Sequence, residues 1–280
     1  MTTIQLGKRN QLEILREVDF GVYLDGGDVG DILLPKRYVP KNAAVGDMVD
    51  VFLYLDQEER LIATTEQSLI EVGTFAFLEV KWINQYGAFL DWGLMKDLFC
   101  PFREQKMRMV QGKKYIVYCY IDSVTFRIAA SAKVEKFLSK EKPEYKHGEE
   151  VDILIQQKTE LGFKAIVDGR FSGLLYRNEL FRDIHTGERM KAFVKNVRED
   201  GKIDLALQTS GQHHVLDFSD QLLTFLKEQP DRFCPLHDKS PAEDIYARFE
   251  VSKKTFKKAV GDLYKKHLIT LQPDGIKLVK

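Results

Sequence analysis

Nine glycines recur at fixed spacings along the first three quarters of the chain, and this regularity limits the possible fold more than any other feature. Three of them begin stretches of alternating apolar residues; a second glycine follows each after 14 residues, and a third after a further 25. The nine positions are Gly7, Gly21 and Gly46, then Gly73, Gly87 and Gly112, then Gly148, Gly162 and Gly187. Repetition of this kind indicates copies of one structural unit, so we expect three units of about 65 residues.

Each copy predicts five short strands, because apolar residues alternate and aromatic and β-branched residues are frequent between the glycines. In the first copy the strands are expected near residues 11–15, 21–24, 32–34, 48–53 and 61–63. The middle glycine lies within a strand, which predicts a bulge or a sharp bend there. Five strands of this size are typical of a small closed antiparallel barrel of the OB type.

Three sequence patterns in the repeats resemble the S1 RNA-binding domain. They are an aromatic pair around the middle glycine, a Gly-Leu-Leu-Tyr segment between the second and fourth strands, and an acidic hairpin that ends in arginine. The pairs are Phe20 to Tyr23 and Tyr86 to Phe89, the segment runs from Gly173 to Leu180, and the hairpins run from Asp56 to Arg60 and from Asp122 to Arg127.

A polar segment, residues 209–214, follows the third copy and predicts a linker. Its adjacent histidines, His213 and His214, have no acidic or cysteine partner nearby, so we expect them to face solvent. Beyond this segment the apolar spacing becomes helical, with an N-cap expected at Asp217 or Ser219.

The rest of the chain predicts three helices followed by a β-hairpin. Ser252 is placed to cap the third helix, and the hairpin is expected to turn at residues 272–275. This order of elements resembles a winged helix, the helix-turn-helix variant that carries a β wing.

Three S1-like repeats followed by a winged helix resemble the conserved virulence factor B (YitL) family. The resemblance implies RNA binding and post-transcriptional regulation. The expected fold is mainly β with a C-terminal α+β domain, built from tandem five-stranded OB-type barrels and a winged helix. The expected domains are residues 1–66, 67–137, 146–209 and 214–280, with a hinge or short helix near Pro143.

Charge is distributed unevenly, although the 42 basic and 42 acidic residues give a net charge of zero. The first repeat has a net charge of −5 and the second a net charge of +3. A phosphate-bearing strand should therefore avoid the first repeat and prefer the second repeat and the C-terminal domain. The third predicted helix is the most basic element, and its lysines form either a phosphate-contacting face or a solvated one. These lysines are Lys253, Lys254, Lys257 and Lys258.

The S1 resemblance implies that aromatic side chains form a platform on which bases stack. The platform positions are Phe20 and Tyr23 in the first repeat and Tyr86 and Phe89 in the second. The alternative is that these rings fill the barrel cores, and the negative charge of the first repeat disfavours phosphate at Phe20 and Tyr23.

The third repeat carries Leu161 and Ala165 at the positions that we match to this platform, so it is expected to lack one. Phe163 and Tyr176 lie nearby in the sequence and are candidate substitutes.

Two basic residues, Lys114 and Arg127, are candidates for phosphate contacts near the second platform. Arg127 has an alternative structural role, because it could form an ion pair with Asp122 across the hairpin.

The sequence predicts no enzyme, since it contains no Walker-type loop, no Gly-x-Ser-x-Gly and no His-Glu-x-x-His. No cofactor, metal site or small-molecule substrate is expected. The spacing of Cys234 and His237 resembles a metal site, but it stands alone. Three widely spaced cysteines fit a reducing cytoplasm, and neither a secretory signal nor a membrane-length apolar run is present.

The leading hypothesis is a non-catalytic cytoplasmic protein that binds single-stranded RNA through the second repeat and the winged helix. One alternative is a regulator that reads duplex DNA through the winged helix. The other is a scaffold that binds proteins such as ribosome-associated factors.

Overall fold

The computed structural model describes residues 3–177, 180, 182–207, 212–249 and 251–279, with side chains in the first helix described from Phe218 onward. The chain divides into two compact units, Met1–Ser139 and Lys140–Lys280. Parts of the predicted linker and of the Gly173–Leu180 segment, and the side chains of His213 and His214, lie outside the described residues.

Strands form where the alternation predicts them, and the first and third repeats each close into a barrel. The first barrel has the strand order β1-β2-β3-β5-β4 and the third has the equivalent order β11-β12-β13-β15-β14. The third and fifth strands of each pair in parallel, so the barrels are not wholly antiparallel as predicted. The strands are β1 (Arg9–Val18), β2 (Gly21–Asp25), β3 (Asp31–Pro35), β4 (Met48–Leu55) and β5 (Leu61–Thr64), with β11 (Glu150–Lys158), β12 (Gly162–Val167), β13 (Phe171–Tyr176), β14 (Arg189–Val197) and β15 (Ile203–Ala206).

The second repeat has the same strand order but remains an open sheet, which corrects the prediction of a closed barrel. Its order is β10-β9-β6-β7-β8, and β8 and β10 are not joined by a ladder of hydrogen bonds. We call it the second barrel because its curvature and core correspond to those of the other two. Its strands are β6 (Phe75–Ile83), β7 (Gly87–Leu90), β8 (Leu98–Pro101), β9 (Lys114–Ile121) and β10 (Ile128–Ser131).

The middle glycine of each repeat permits a close approach of two strands rather than forming the predicted bulge. A Cβ on Gly87 would overlap the carbonyl oxygen of Cys100 on β8, and the corresponding glycines meet the same obstacle. The bulge lies instead in the first strand, where the register of β6 against β7 shifts between Val80 and Trp82. Bulges occur at the same place in β1 and β11. They increase the local bend that a small barrel requires.

Barrels one and two share part of one core. Phe52 and Tyr54 of β4 belong to the buried cluster of the second barrel and meet Trp92 edge to face, at ring-centroid distances of 5.6 and 6.5 Å. The position of the first barrel against the second is therefore fixed by apolar packing.

The C-terminal part of the second unit is a winged helix with the order α1, β16, α2, α3, β17, β18. Ser252 caps α3 as predicted, because its hydroxyl accepts a hydrogen bond from the Thr255 amide. The helix α1 begins at Gln212, inside the predicted linker, so Ser219 is a buried residue within it rather than its cap. Together with the repeats, this domain confirms the predicted fold class. The elements are α1 (Gln212–Glu228), β16 (Phe233–Cys234), α2 (Ala242–Phe249), α3 (Lys253–Lys265), β17 (Ile269–Gln272) and β18 (Gly275–Leu278).

Candidate nucleic-acid interface

Three aromatic rings form a continuous row across the outer face of the second barrel, one each from β6, β7 and β8. Trp82 and Phe89 stack in parallel, with ring centroids 3.7 Å apart and an interplanar angle of 3°. Phe99 packs beside Phe89 at 5.0 Å. The rings meet because Trp82 pairs with Phe89 and Phe89 pairs with Phe99 in the strand register. We call these three rings the aromatic row; it contains one predicted residue, Phe89, and two that sequence reasoning missed.

The aromatic row borders an open cleft of about 850 Å³ in the first unit. Tyr86, the other residue predicted for this platform, is 65% exposed and also lines the cleft. Residues of the first barrel, including Tyr54 and Glu59, line the facing side. The cleft therefore combines an aromatic wall from the second barrel with a wall from the first.

Two of the cationic side chains that line the cleft, Arg103 and Arg127, are already paired with carboxylates. Arg127 lines the cleft, and its partner is Glu59 of the first barrel and not Asp122. Asp122 instead pairs with Arg103, at 2.8 Å. Lys114 lies at the start of β9 opposite Glu79, outside the residues that line the cleft.

The first barrel presents a smaller version of the same face. Tyr23 occupies the place of Phe89, and the Arg16 guanidinium lies 3.9 Å from its ring centroid where the second barrel has Trp82. Phe20 is exposed and meets Tyr23 edge to face at 6.4 Å. Both predicted residues are thus at the surface, but Arg16 also forms an ion pair with Asp31.

The described residues of the third barrel form no aromatic row. The strand register shows that Gln157 and Lys164 occupy the places of Trp82 and Phe89, so matching Ala165 to this position was wrong by one residue. Ala165 and Phe163 are both buried in the core, which excludes Phe163 as a substitute platform.

Tyr176 is half-buried, and a polar network holds its hydroxyl group. The hydroxyl donates to Asp204 at 3.1 Å and accepts from Arg198, while Arg198 also pairs with Asp204 at 2.7 Å. The network fixes the ring against the barrel, so any base contact would use only its remaining exposed surface.

Of the four predicted lysines of α3, three point into solvent and one is hydrogen-bonded to the backbone. Lys254, Lys257 and Lys258 are exposed, opposite the buried side of the helix. Lys253 is half-buried and donates a hydrogen bond to the backbone oxygen of Lys239 at 3.3 Å. Three of the four predicted lysines are therefore presented together to solvent.

All three cysteines are buried as free thiols, and burial raises the pKa of Cys100 and of Cys119 to about 12. Within the described ranges, no group of three or more His, Cys, Asp or Glu side chains is arranged to hold a metal ion. No helix in the described part of the chain is long and apolar enough to cross a membrane.

Comparison with known proteins identifies both kinds of domain. The S1 domain model matches residues 6–66, and the CvfB-like winged helix domain model matches residues 220–278. Both models describe nucleic-acid-binding domains rather than catalytic ones. A multidomain protein with nucleic acid binding domains from Streptococcus pneumoniae is 22% identical, with a TM-score of 0.42 and coverage of 98% of both chains.

Two relatives match over most of their length. YitL of Bacillus subtilis is 28% identical over 272 residues, which covers 92% of this chain and 89% of the relative. Conserved virulence factor B of Staphylococcus saprophyticus is 24% identical over 243 residues, covering 84% of this chain and 81% of the relative. The chain therefore carries an S1 domain and a CvfB-like winged helix domain, and it resembles YitL and conserved virulence factor B over most of its length.

Proposed function

We propose that the protein is a non-catalytic, cytoplasmic, post-transcriptional regulator that binds single-stranded RNA. The observation that carries this proposal is the aromatic row beside an open cleft on the second barrel. Stacking of a base on an aromatic side chain contributes about 1–3 kcal/mol and requires a single strand, because the bases of a duplex already stack on each other. Half-exposed rings on a basic barrel suit this task better than they suit a core.

The exposed lysines of α3 supply the second contact in this proposal. They provide positive charge for phosphate groups, whereas the aromatic row provides stacking for bases. Four further residues remain candidate contributors to RNA binding: Phe20, Tyr23, Lys114 and Tyr176. We expect Phe20 and Tyr23 to contribute less to the affinity than the aromatic row, because the first barrel is negatively charged. In this proposal the second barrel, residues 67–137, and the winged helix, residues 214–280, contribute most of the RNA affinity.

Fluorescence anisotropy with a short unstructured RNA, the matching DNA strand and a DNA duplex tests this proposal. Replacing Phe89 with alanine should weaken RNA binding by about 5- to 150-fold, which corresponds to the loss of one stacked base. Phe20→Ala is the matched control, because it removes an exposed ring from the acidic barrel and should have a smaller effect. Equal effects of the two changes would contradict the assignment to the second barrel.

Replacing Lys254, Lys257 and Lys258 together with alanine should lower RNA affinity and flatten its dependence on salt. Each lost phosphate contact reduces the slope of log affinity against log salt by about 0.7 for a single strand. A slope that does not change would remove α3 from the RNA interface.

Duplex DNA is the second candidate ligand, and it is favoured by the presentation of three exposed lysines on the third helix of a winged helix. Preference for duplex DNA that depends on the lysines and not on Phe89 would support this function. No binding to any of the three nucleic acids would overturn both proposals and favour a protein partner.

A further inference from the structure

The hairpin between β4 and β5 of the first barrel reaches into the cleft of the second. Lys96 of the second barrel donates a hydrogen bond from its Nζ to the backbone oxygen of Asp56, at 2.7 Å. Glu59, near the tip of the same hairpin, lines the cleft and pairs with Arg127. The acidic first barrel thus places the Glu59 carboxylate against the Arg127 guanidinium of the basic second barrel.

The backbone at Glu59 has a conformation that favours glycine. Its φ of +67° lies in the left-handed region, which glycine adopts readily and which costs free energy for most other residues. The equivalent hairpin residue is Gly201 in the third barrel, whereas the second barrel has Phe126, also with positive φ. A strained conformation that a glycine would relieve points to a role for the side chain itself.

The ion pair between Glu59 and Arg127 can exchange partners, whereas the neighbouring pair between Asp122 and Arg103 is fixed in place. The Asp122 carboxylate accepts hydrogen bonds from the amides of Val124 and Thr125 in addition to its pair with Arg103, so it is built into its hairpin. The side chains of Glu59 and Arg127 are each about half exposed, at 50% and 55%. Ion pairs this exposed contribute little net free energy, and a phosphate group can replace the carboxylate.

We propose that Glu59 competes with a nucleic-acid phosphate for Arg127 and thereby restrains binding to the cleft. This inference rests on the proposed function, because the competing phosphate belongs to a strand whose base stacks on the aromatic row. Binding then exchanges one partner of Arg127 for another rather than adding a new one. The first barrel acts on the site of the second through this carboxylate.

Glu59→Gln in the full chain tests the proposal by anisotropy with the short unstructured RNA. The substitution keeps the size of the side chain and removes its charge, so Arg127 becomes available to phosphate. At about 0.1 M salt, a phosphate contact that no longer has to displace a carboxylate should tighten binding by about five-fold and steepen the salt slope by about 0.7. On an Arg127→Gln background, Glu59→Gln should give no gain.

Glu58→Gln is the matched control, because Glu58 lies in the same hairpin but pairs with Arg60, at 2.9 Å. It changes the charge of the barrel by the same amount without releasing Arg127, so it should alter affinity much less. Thermal unfolding of each variant should match that of the parent protein.

The inference would be overturned by equal tightening by both substitutions, by weaker binding after Glu59→Gln, or by a gain that persists on the Arg127→Gln background. If the parent binds RNA and Glu59→Gln leaves the affinity unchanged, this inference fails and the proposed function stands. If the parent does not bind RNA, the proposed function fails first and this inference fails with it.

Discussion

Trp82 shows why part of the site could not be predicted residue by residue. Ala76, Leu78 and Val80 alternate inward along β6, and an uninterrupted strand would bury Trp82 with them. The bulge after Val80 reverses the direction, so Trp82 faces outward and stacks on Phe89. A pattern of alternation predicts the face of a residue only as far as the next bulge. Phe89 was named as a platform candidate because it follows the middle glycine, and it pairs with Trp82 in the strand register.

Asp122 links the structure of the cleft to pH. Hydrogen bonds from the amides of Thr125 and Val124, together with Arg103, hold the pKa of its carboxyl below the usual value of 3.8. Because the folded-state pKa is depressed, the stabilisation is complete above the unfolded-state pKa and is lost as pH falls through the folded-state value.

Asp122→Asn should therefore lower the free energy of unfolding at neutral pH, and the difference from the parent should shrink below about pH 4. Urea unfolding over a pH series measures this difference. A difference that stays constant down to the acid limit would show that the charge of Asp122 does not stabilise the hairpin.

At the scale of elements, local patterns were sufficient for the strands and for α3 but not for the closure of the barrels. The parallel pairing of β3 with β5 joins segments that are separated by the whole of β4, so no short window of sequence contains it. The open seam between β8 and β10 could not be predicted from the sequence either, because its strands have the same apolar pattern as those of the closed barrels.

Gly261 in α3 offers a test of helix stability. A Cβ added there would have no neighbouring atom within 4 Å, and glycine inside a helix costs about 0.5–1 kcal/mol relative to alanine. Gly261→Ala should therefore raise the free energy of unfolding of the winged helix by that amount, as measured by urea denaturation.

Gly275→Ala is the opposite case in the same domain. Its Cβ would overlap the carbonyl oxygen of Cys234 on the neighbouring strand, so this change should destabilise the domain. The same sign for both substitutions would contradict the packing described for the wing.

At the scale of the whole molecule, the sequence predicted the fold class, which is confirmed. It did not predict that barrels one and two share a core, because apolar residues at Phe52, Tyr54 and Trp92 fit equally well inside separate barrels. Shared packing depends on which outward-facing rings meet, and that is a property of the assembled fold.

Trp92→Ala should therefore destabilise both barrels of the first unit, by about 3–5 kcal/mol for a buried tryptophan. Hydrogen exchange should show reduced protection in β4 of the first barrel as well as in the second. Trp82→Ala is the control, because Trp82 is 43% exposed and contributes less to the core. Unchanged protection in β4 would show that the first barrel is stable without this contact.

The shared core also has a consequence for synthesis of the chain. Trp92 follows Phe52 by forty residues, so Phe52 and Tyr54 emerge from the ribosome before the ring that covers them. At about 5–20 residues per second, this delay lasts several seconds. During that interval the nascent first barrel exposes two aromatic side chains, Phe52 and Tyr54, that are buried in the folded protein. We therefore expect a chaperone to bind the chain at this stage of synthesis.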